Sequence, residues 1–324
     1  MAVSTKLIKR RLKSIGNTKK ITKAMEMIAA VKMRKAVDAA LKTRAYSRLT
    51  QDLLNHLAHL NEPDCPLLET RPVQKILLIM ISSNRGLCGS FNANIFKKTA
   101  KLIKDVKNIS RHRTVNDEEI PPTDKVEIEV LGLGRKSAFF AKKNNLKLVS
   151  VFDKLSEVPN YEESLTISKM ALKDFLAKNY DKVLVAYTDF KSSLLQEPKL
   201  RQLLPVSPRV LEKMLIDLGK NEFSHKVKGQ EQTEEEFGLE TYLFEPSVED
   251  IINEVLPKLV EVQLYQAMLE SAASEHSARM VAMKSASDAA GDMISELNLN
   301  YNKARQAGIT QEIAEISAGA AAFK

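Results

Sequence analysis

The chain has 324 residues, no Trp, only eleven Gly and eleven Pro, and a formal charge of +8. That length allows one sizeable core with extensions, and the scarcity of Gly and Pro favours long uninterrupted helices over a strand-rich sandwich. Two distant cysteines, Cys65 and Cys88, do not make a disulfide framework and point to a reducing compartment, while the lack of an apolar h-region or of a run near about 18 apolar residues argues against export and membrane spanning.

Residues 4–60 read as one long helix: no Pro interrupts them, Gly16 is tolerable, and Ser4 offers an N-cap. Residues 1–48 hold fourteen Lys and Arg against Glu26 and Asp38, a local balance of +12 that leaves −4 for the remainder. The apolar stripe takes Ile8, Leu12 and Ile15, then Ile21, Met25 and Ile28, and later Leu53, Leu57 and Leu60. It slips phase near Lys19 and again after Val31, the pattern expected for a strand of a loosely wound coiled coil. A domain boundary is expected at 62.

Pro63, Pro66 and Pro72 end that helix, and the pattern changes. Lys75–Ser82 is a continuous apolar run that predicts a buried strand, followed by a helix over Asn92–Val106. A strand over Lys125–Leu131, a short helix over Arg135–Lys143, a strand over Leu146–Val151, an amphipathic helix over Glu162–Lys178 and a buried strand over Lys182–Tyr187 follow in turn. Strands alternating with helices at this spacing imply an open, Rossmann-like α/β layer domain over 73–206. Residues 207–245 are charged and polar, an exposed insertion with one short helix predicted at Val210–Leu218.

Pro246 and Ser247 launch a C-terminal helix over 246–324, which Pro257 should kink. Its seam advances in alternating steps of four and three: Val248, Ile252, Val255, Leu259, Val262, Gln266, Leu269, Ala273, His276, Met280, Met283, Ser287, Ala290, Ile294, Leu297, Tyr301, Ala304. So long a repeat is a coiled-coil signal. At 1.5 Å per residue it would extend roughly 85 Å, wider than an ordinary core, so the helix is expected to project and to pair with the helix at the other end of the chain. After Gly308 the apolar positions Ile309, Ile313, Ile316 and Ala320 continue one step out of phase. Between Gln306 and Lys324 only Glu312, Glu315 and Lys324 are charged, so this tip is expected to be surrounded by protein.

No catalytic apparatus emerges. The loop Arg85-Gly86-Leu87-Cys88-Gly89 could cradle an anion, but it lacks the Lys-Ser/Thr pair of a P-loop and the three-glycine dinucleotide spacing, and it competes with a structural turn. Leu131-Gly132-Leu133-Gly134 reads as a tight strand-to-helix turn. His56 and His59 share a helical face near Cys65, but the five histidines form no ligand cluster. The basic first helix, with Arg10, Arg11, Lys19, Lys20, Lys23, Lys32 and Arg34 around its circumference, admits a membrane surface, a nucleic acid or an acidic protein as partner. The lack of aromatics before Tyr46 weakens single-strand nucleic-acid binding.

Four segments resemble the gamma-subunit family of F-type ATP synthases. They are the residues from Ile8 to Ala30 (IKRRLKSIGNTKKITKAMEMIAA), the Arg85–Gly89 loop, Ser274–Met283 (SEHSARMVAM) and Asn302–Ile316 (NKARQAGITQEIAEI). They occur in the family's order across nearly the whole chain. The resemblance implies an antiparallel coiled coil of the two terminal helices, acting as a rotor shaft inside a hexamer of alpha and beta subunits. It further implies an α/β domain resting on the membrane c-ring beside the epsilon subunit, no catalysis by the chain itself, no cofactor, and no nucleic-acid partner or direct membrane span. Contacts with catalytic-subunit loops are implied for Arg279, Arg305, Gln306 and Thr310, a basic shaft for the seven residues named above, and an apolar tip in the hexamer sleeve for Ile313, Ile316 and Ala320. Longer plastid members carry a cysteine pair in an insertion like 207–245; this insertion holds none. Met1 directly before the first motif favours a bacterial chain, peripheral on the cytoplasmic face of the plasma membrane, over an organellar precursor.

Overall fold

The computed structural model describes residues 5–58, 65–105, 109–110, 112–113, 119–120, 126–206 and 248–322, with the side chains of 44–58, 112–113, 119–120, 248–249, 251–252 and 320–322 outside the description. The expected insertion at 207–245, with its short helix, lies outside the described residues, as do His59, His225 and the side chains of His56 and His112. Two compact units result: Met1–Val31 with Arg279–Lys324, and Lys32–Ala278. The two terminal helices run through both, α1 over Thr5–Ala58 and α5 over Val248–Ala322.

The second unit holds the sheet. Its strands are β1 (Lys75–Ile81), β4 (Glu127–Leu133), β5 (Lys147–Phe152), β6 (Lys182–Phe190) and β7 (Gln196–Leu204), in the order β5-β4-β1-β6-β7. The first four are parallel and β7 is antiparallel to β6. A separate two-residue pair joins β2 (His112–Arg113) to β3 (Glu119–Ile120). The helices between strands are α2 (Phe91–Lys104), α3 (Arg135–Lys143) and α4 (Tyr161–Leu176). α4 starts with a capping box between Asn160 and Glu163, which satisfies two helix-end groups reciprocally.

β1 is buried on both faces, as a central parallel strand must be. Leu77, Ile79 and Ile81 join a core with Ile167, Ala171 and Phe175 of α4 and with Leu256, Leu259, Val260, Leu264, Ala267 and Met268 of α5. Ile76, Leu78 and Met80 face the opposite core with Ile95 of α2 and Phe140 and Ala141 of α3. The first part of α5 is therefore a layer of the α/β core as well as one strand of a helix pair. That is why nearly every residue from Leu259 to Ser277 is buried, and not only the seam. The helix continues through Pro257.

Three strands have no counterpart in the sequence reading: the two-residue β2 and β3, and the nine-residue β7. β7 carries Pro198, Lys199, Arg201 and Gln202, and an edge strand tolerates Pro and half-exposed polar residues.

In the first unit the seam of α5 emerges as expected. Met283, Ser287 and Ala290 are buried and Ile294, Leu297, Tyr301, Ala304 and Gly308 half-buried, among mostly exposed neighbours. α1 differs from the expectation. Ile21 and Ile28 are 61% and 54% exposed, whereas Ile8, Thr22 and Ala29 are buried and Leu12, Ile15 and Glu26 half-buried. The stripe does not slip phase. It keeps steps of four and three through Ile8, Leu12, Ile15, Lys19, Thr22, Glu26 and Ala29, and the apparent slip marks an exposed lysine where the spacing calls for an apolar residue. Lys19 fits because it lies over Gly291, where an added Cβ would stand 2.9 Å from its Nζ.

In the second unit Ala36 clusters with Ala272 and Ala273. Within each unit, then, α1 and α5 meet: at Lys19 and Gly291 in the first, and at Ala36, Ala272 and Ala273 in the second.

Candidate partner interface

Burying the small side chains of the seam turns the charged and the large apolar residues outward. Arg10, Arg11, Lys20 and Arg34 are exposed. Lys23 pairs with Glu26 one turn on, at 2.9 Å; Lys32 pairs with Glu157. Of the seven basic positions, Lys23 and Lys32 are engaged with carboxylates, Lys19 is exposed beside Gly291, and the other four face outward.

On α5, Arg305, Gln306 and Thr310 are exposed, and the Thr310 hydroxyl donates to the Gln306 carbonyl at 3.0 Å. That bond holds Thr310 against its own helix. Arg279 is half-buried and engaged within the chain. Beyond them Ile309, Ile313 and Ile316 are 50%, 59% and 73% exposed. Ala320 lies among the residues whose side chains are outside the description. An arginine and a glutamine beside a row of solvent-exposed isoleucines present planar polar forks and an apolar surface together, the chemistry of a protein contact.

The other quoted motifs meet at the carboxyl edge of the sheet. In the loop after β1, Asn92 accepts the Ser83 N–H at 3.1 Å and donates to the Ser83 hydroxyl at 2.7 Å, which donates to the Arg85 carbonyl at 2.7 Å. Leu87 and Gly89 take left-handed φ values of 63° and 55°. The loop is thus tied up by its own side chains as a structural turn. Gly134 is required at φ 94°, since a Cβ there would lie 2.2 Å from the Ser82 carbonyl oxygen. Across this edge runs α5: Ser274 donates to the Thr188 carbonyl at 3.1 Å and Ser277 to that of Ser193 at 2.7 Å. In an open α/β sheet this edge is where a ligand crevice forms at the point of strand-order reversal. Here the chain's own helix lies across it.

The opposite edge carries a charged cleft of about 980 Å³, lined among others by Lys75, Glu127, Glu129, Lys147, Tyr180 and Asp181. Burial pushes the Glu129 carboxyl up, but hydrogen bonds from Lys147 at 2.6 Å and Tyr180 at 2.7 Å outweigh it and hold it below the usual range. No sequence pattern pointed to this cleft, whose residues come from separate strands and loops. Among the described residues no His, Cys, Asp and Glu group has the makings of a metal site, and no helix is long and apolar enough to cross a membrane.

Taken together, these features define a class: proteins that build a Rossmann-like layer into a long antiparallel helix pair. Comparison with known proteins narrows it. The ATP synthase family profile matches residues 4–323. The chain is 40% identical over 321 residues to the ATP synthase gamma chain of Dehalococcoides mccartyi, covering 98% of each. It is 38% identical over 322 residues to that of Trichlorobacter lovleyi, covering 99% of each. Its fold is similar to a chain of the Tetrahymena thermophila mitochondrial ATP synthase central stalk and c-ring structure, at TM-score 0.52, 23% identity, and 82% and 99% coverage of this chain and that one. A rotor chain of the Euglena gracilis mitochondrial enzyme gives TM-score 0.57 at 16% identity, with 94% and 98% coverage. The chain belongs to the ATP synthase gamma chain family.

Proposed function

We propose that the chain is the central rotor shaft of an F1Fo ATP synthase, coupling ion-driven rotation of a membrane ring to ATP synthesis or hydrolysis in a catalytic hexamer. The observation that carries this reading is family membership over the whole chain together with the seam that pairs its two ends. Its partners are then the alpha and beta subunits around the upper helix pair, and the epsilon subunit and c-ring at the base. The complex sits on the cytoplasmic face of a bacterial plasma membrane.

The chain's contribution is mechanical. An asymmetric helix pair presents a different surface to each catalytic site, and a site's nucleotide affinity shifts with the surface it meets. Arg279, Arg305, Gln306 and Thr310 would touch the catalytic-subunit loops, and exposed Ile313 and Ile316, with Ala320, would sit in the apolar sleeve. The outward Arg10, Arg11, Lys20 and Arg34 suit acidic loops. The sequence carries no P-loop, and among the described residues no metal-ligating group supports catalysis by the chain itself. Copurification tests the reading: a discrete complex with ATPase subunits is expected, and the purified chain alone should hydrolyse no ATP. Turnover by the lone chain, or its purification without those partners, would overturn it.

A further inference from the structure

We propose that Glu157 is a positioning residue for torque transfer, the point at which both terminal helices are tied to the α/β layer; this rests on the rotor reading above. Three elements converge on this one residue of the loop after β5. Its carboxylate takes Lys32 of α1 through one oxygen and Arg85 of the β1–α2 loop through the other, at 3.3 Å. Its main-chain carbonyl lies 2.9 Å from Nε2 of His276 on α5. The next residue, Val158, packs against a buried cluster of Ala36 on α1, Phe190 at the end of β6, and Ala272 and Ala273 on α5.

Apolar packing alone fills that cluster: three alanines let the helices approach closely, with Phe190, Met33, Val37 and Val158 around them. Such contacts are non-directional, so a directional polar tie adds what they lack. A rotor joint has to resist turning. The long Lys32 and Arg85 side chains reach a shared carboxylate from two different elements, and Ser274 and Ser277 fasten α5 to β6 and to the turn after it. A half-exposed ion pair adds little to equilibrium stability. Its effect is therefore expected under load and not in a melting curve.

The test uses the assembled membrane complex carrying Lys32→Met, Glu157→Gln or both, and measures ions pumped into proteoliposomes per ATP hydrolysed, with melting of each free chain as a control for folding. Each single variant should melt as wild type and pump several-fold fewer ions per ATP. The double variant should do no worse than the weaker single, because both changes break the same bond. Lys32→Arg should restore pumping, and should Glu157→Gln fail to assemble, Lys32→Met against Lys32→Arg carries the same test. Wild-type pumping per ATP in the Lys32→Met variant, or losses that multiply in the double, would overturn the proposal. A wild-type chain that neither assembles nor supports pumping would sink the rotor reading itself, and this proposal with it.

Discussion

Lys182 opens β6 with its ammonium inside the protein, donating to the Ile109 carbonyl at 3.0 Å. Burial pulls its pKa from the ordinary 10.5 down to about 8. A group whose pKa is lowered by folding binds fewer protons in the folded state, so its cost is present in full below about pH 8 and disappears as pH rises past 10.5. At roughly 1.4 kcal/mol per unit the cost is about 3 kcal/mol, against which a Met would leave the Ile109 carbonyl unpaired at about 2 kcal/mol. Lys182→Met should thus stabilise the free chain by about 1 kcal/mol at pH 7. Denaturant melts at pH 7 and 10 should show wild type gaining on the variant at the higher pH; a gap that stays constant would refute the assignment. Arg305 and Gln306 lie at the other extreme, exposed on α5 with nothing buried to lose. Replacing both with Ala should leave the melt within about 0.5 kcal/mol while weakening hexamer assembly or rotation-linked ATPase. Unchanged assembly and coupling would remove them from the interface.

The seam shows how much of an element can be read from sequence and where that reading fails. On α5 the spacing of four and three was legible because Met283, Ile294, Leu297 and Tyr301 are large. On α1 it was legible only through Ile8, Leu12 and Ile15, because the later buried positions are Thr22, Ala29, Ala36 and Ala40 while Ile21, Met27, Ile28 and Val31 are exposed. Following the largest apolar side chains leads to the outer face of a helix whose inner face is packed by small ones. The parallel strands were legible from continuous apolar runs, whereas β7, half-exposed at an edge, was not. Glu157 gave no signal at all, since its partners lie 125, 72 and 119 residues away in sequence and only the fold brings them together. Two substitutions separate tight from loose positions in the seam. Ala36 is fully buried against Ala272, Ala273 and Phe190, so Ala36→Leu should cost about 1–3 kcal/mol by overpacking. At Gly291 a new Cβ meets only the far end of Lys19, which can swing aside, so Gly291→Ala should stabilise by about 0.5–1 kcal/mol through helix propensity. Chemical denaturation reads both, and the two signs should be opposite.

At the scale of the whole molecule, α5 does two jobs along one helix. From Leu256 to Met268 it is a layer of the α/β core, and from Met283 onward it is one strand of a coil with a single buried face. The same helix is fastened at the carboxyl edge of the sheet, by Ser274 to the Thr188 carbonyl and by Ser277 to that of Ser193. Redox control would have to enter this architecture through cysteines. The insertion at 207–245 contains none, and the two that exist are buried thiols not joined in a disulfide. Cys65 belongs to the core shared by the sheet, α4 and α5. Cys88 sits in the self-tied loop after β1, 3.7 Å from the Ser83 hydroxyl. A dithiol switch needs Cα atoms within about 7 Å, and each of these thiols would have to leave its own packed site to take part in one. Whatever restraint the insertion places on rotation is accordingly expected to be steric and electrostatic. ATPase of the assembled complex, with cysteines in all other subunits replaced, should be the same with and without dithiothreitol; a several-fold reversible change would show that these two sulfurs are within each other's reach after all.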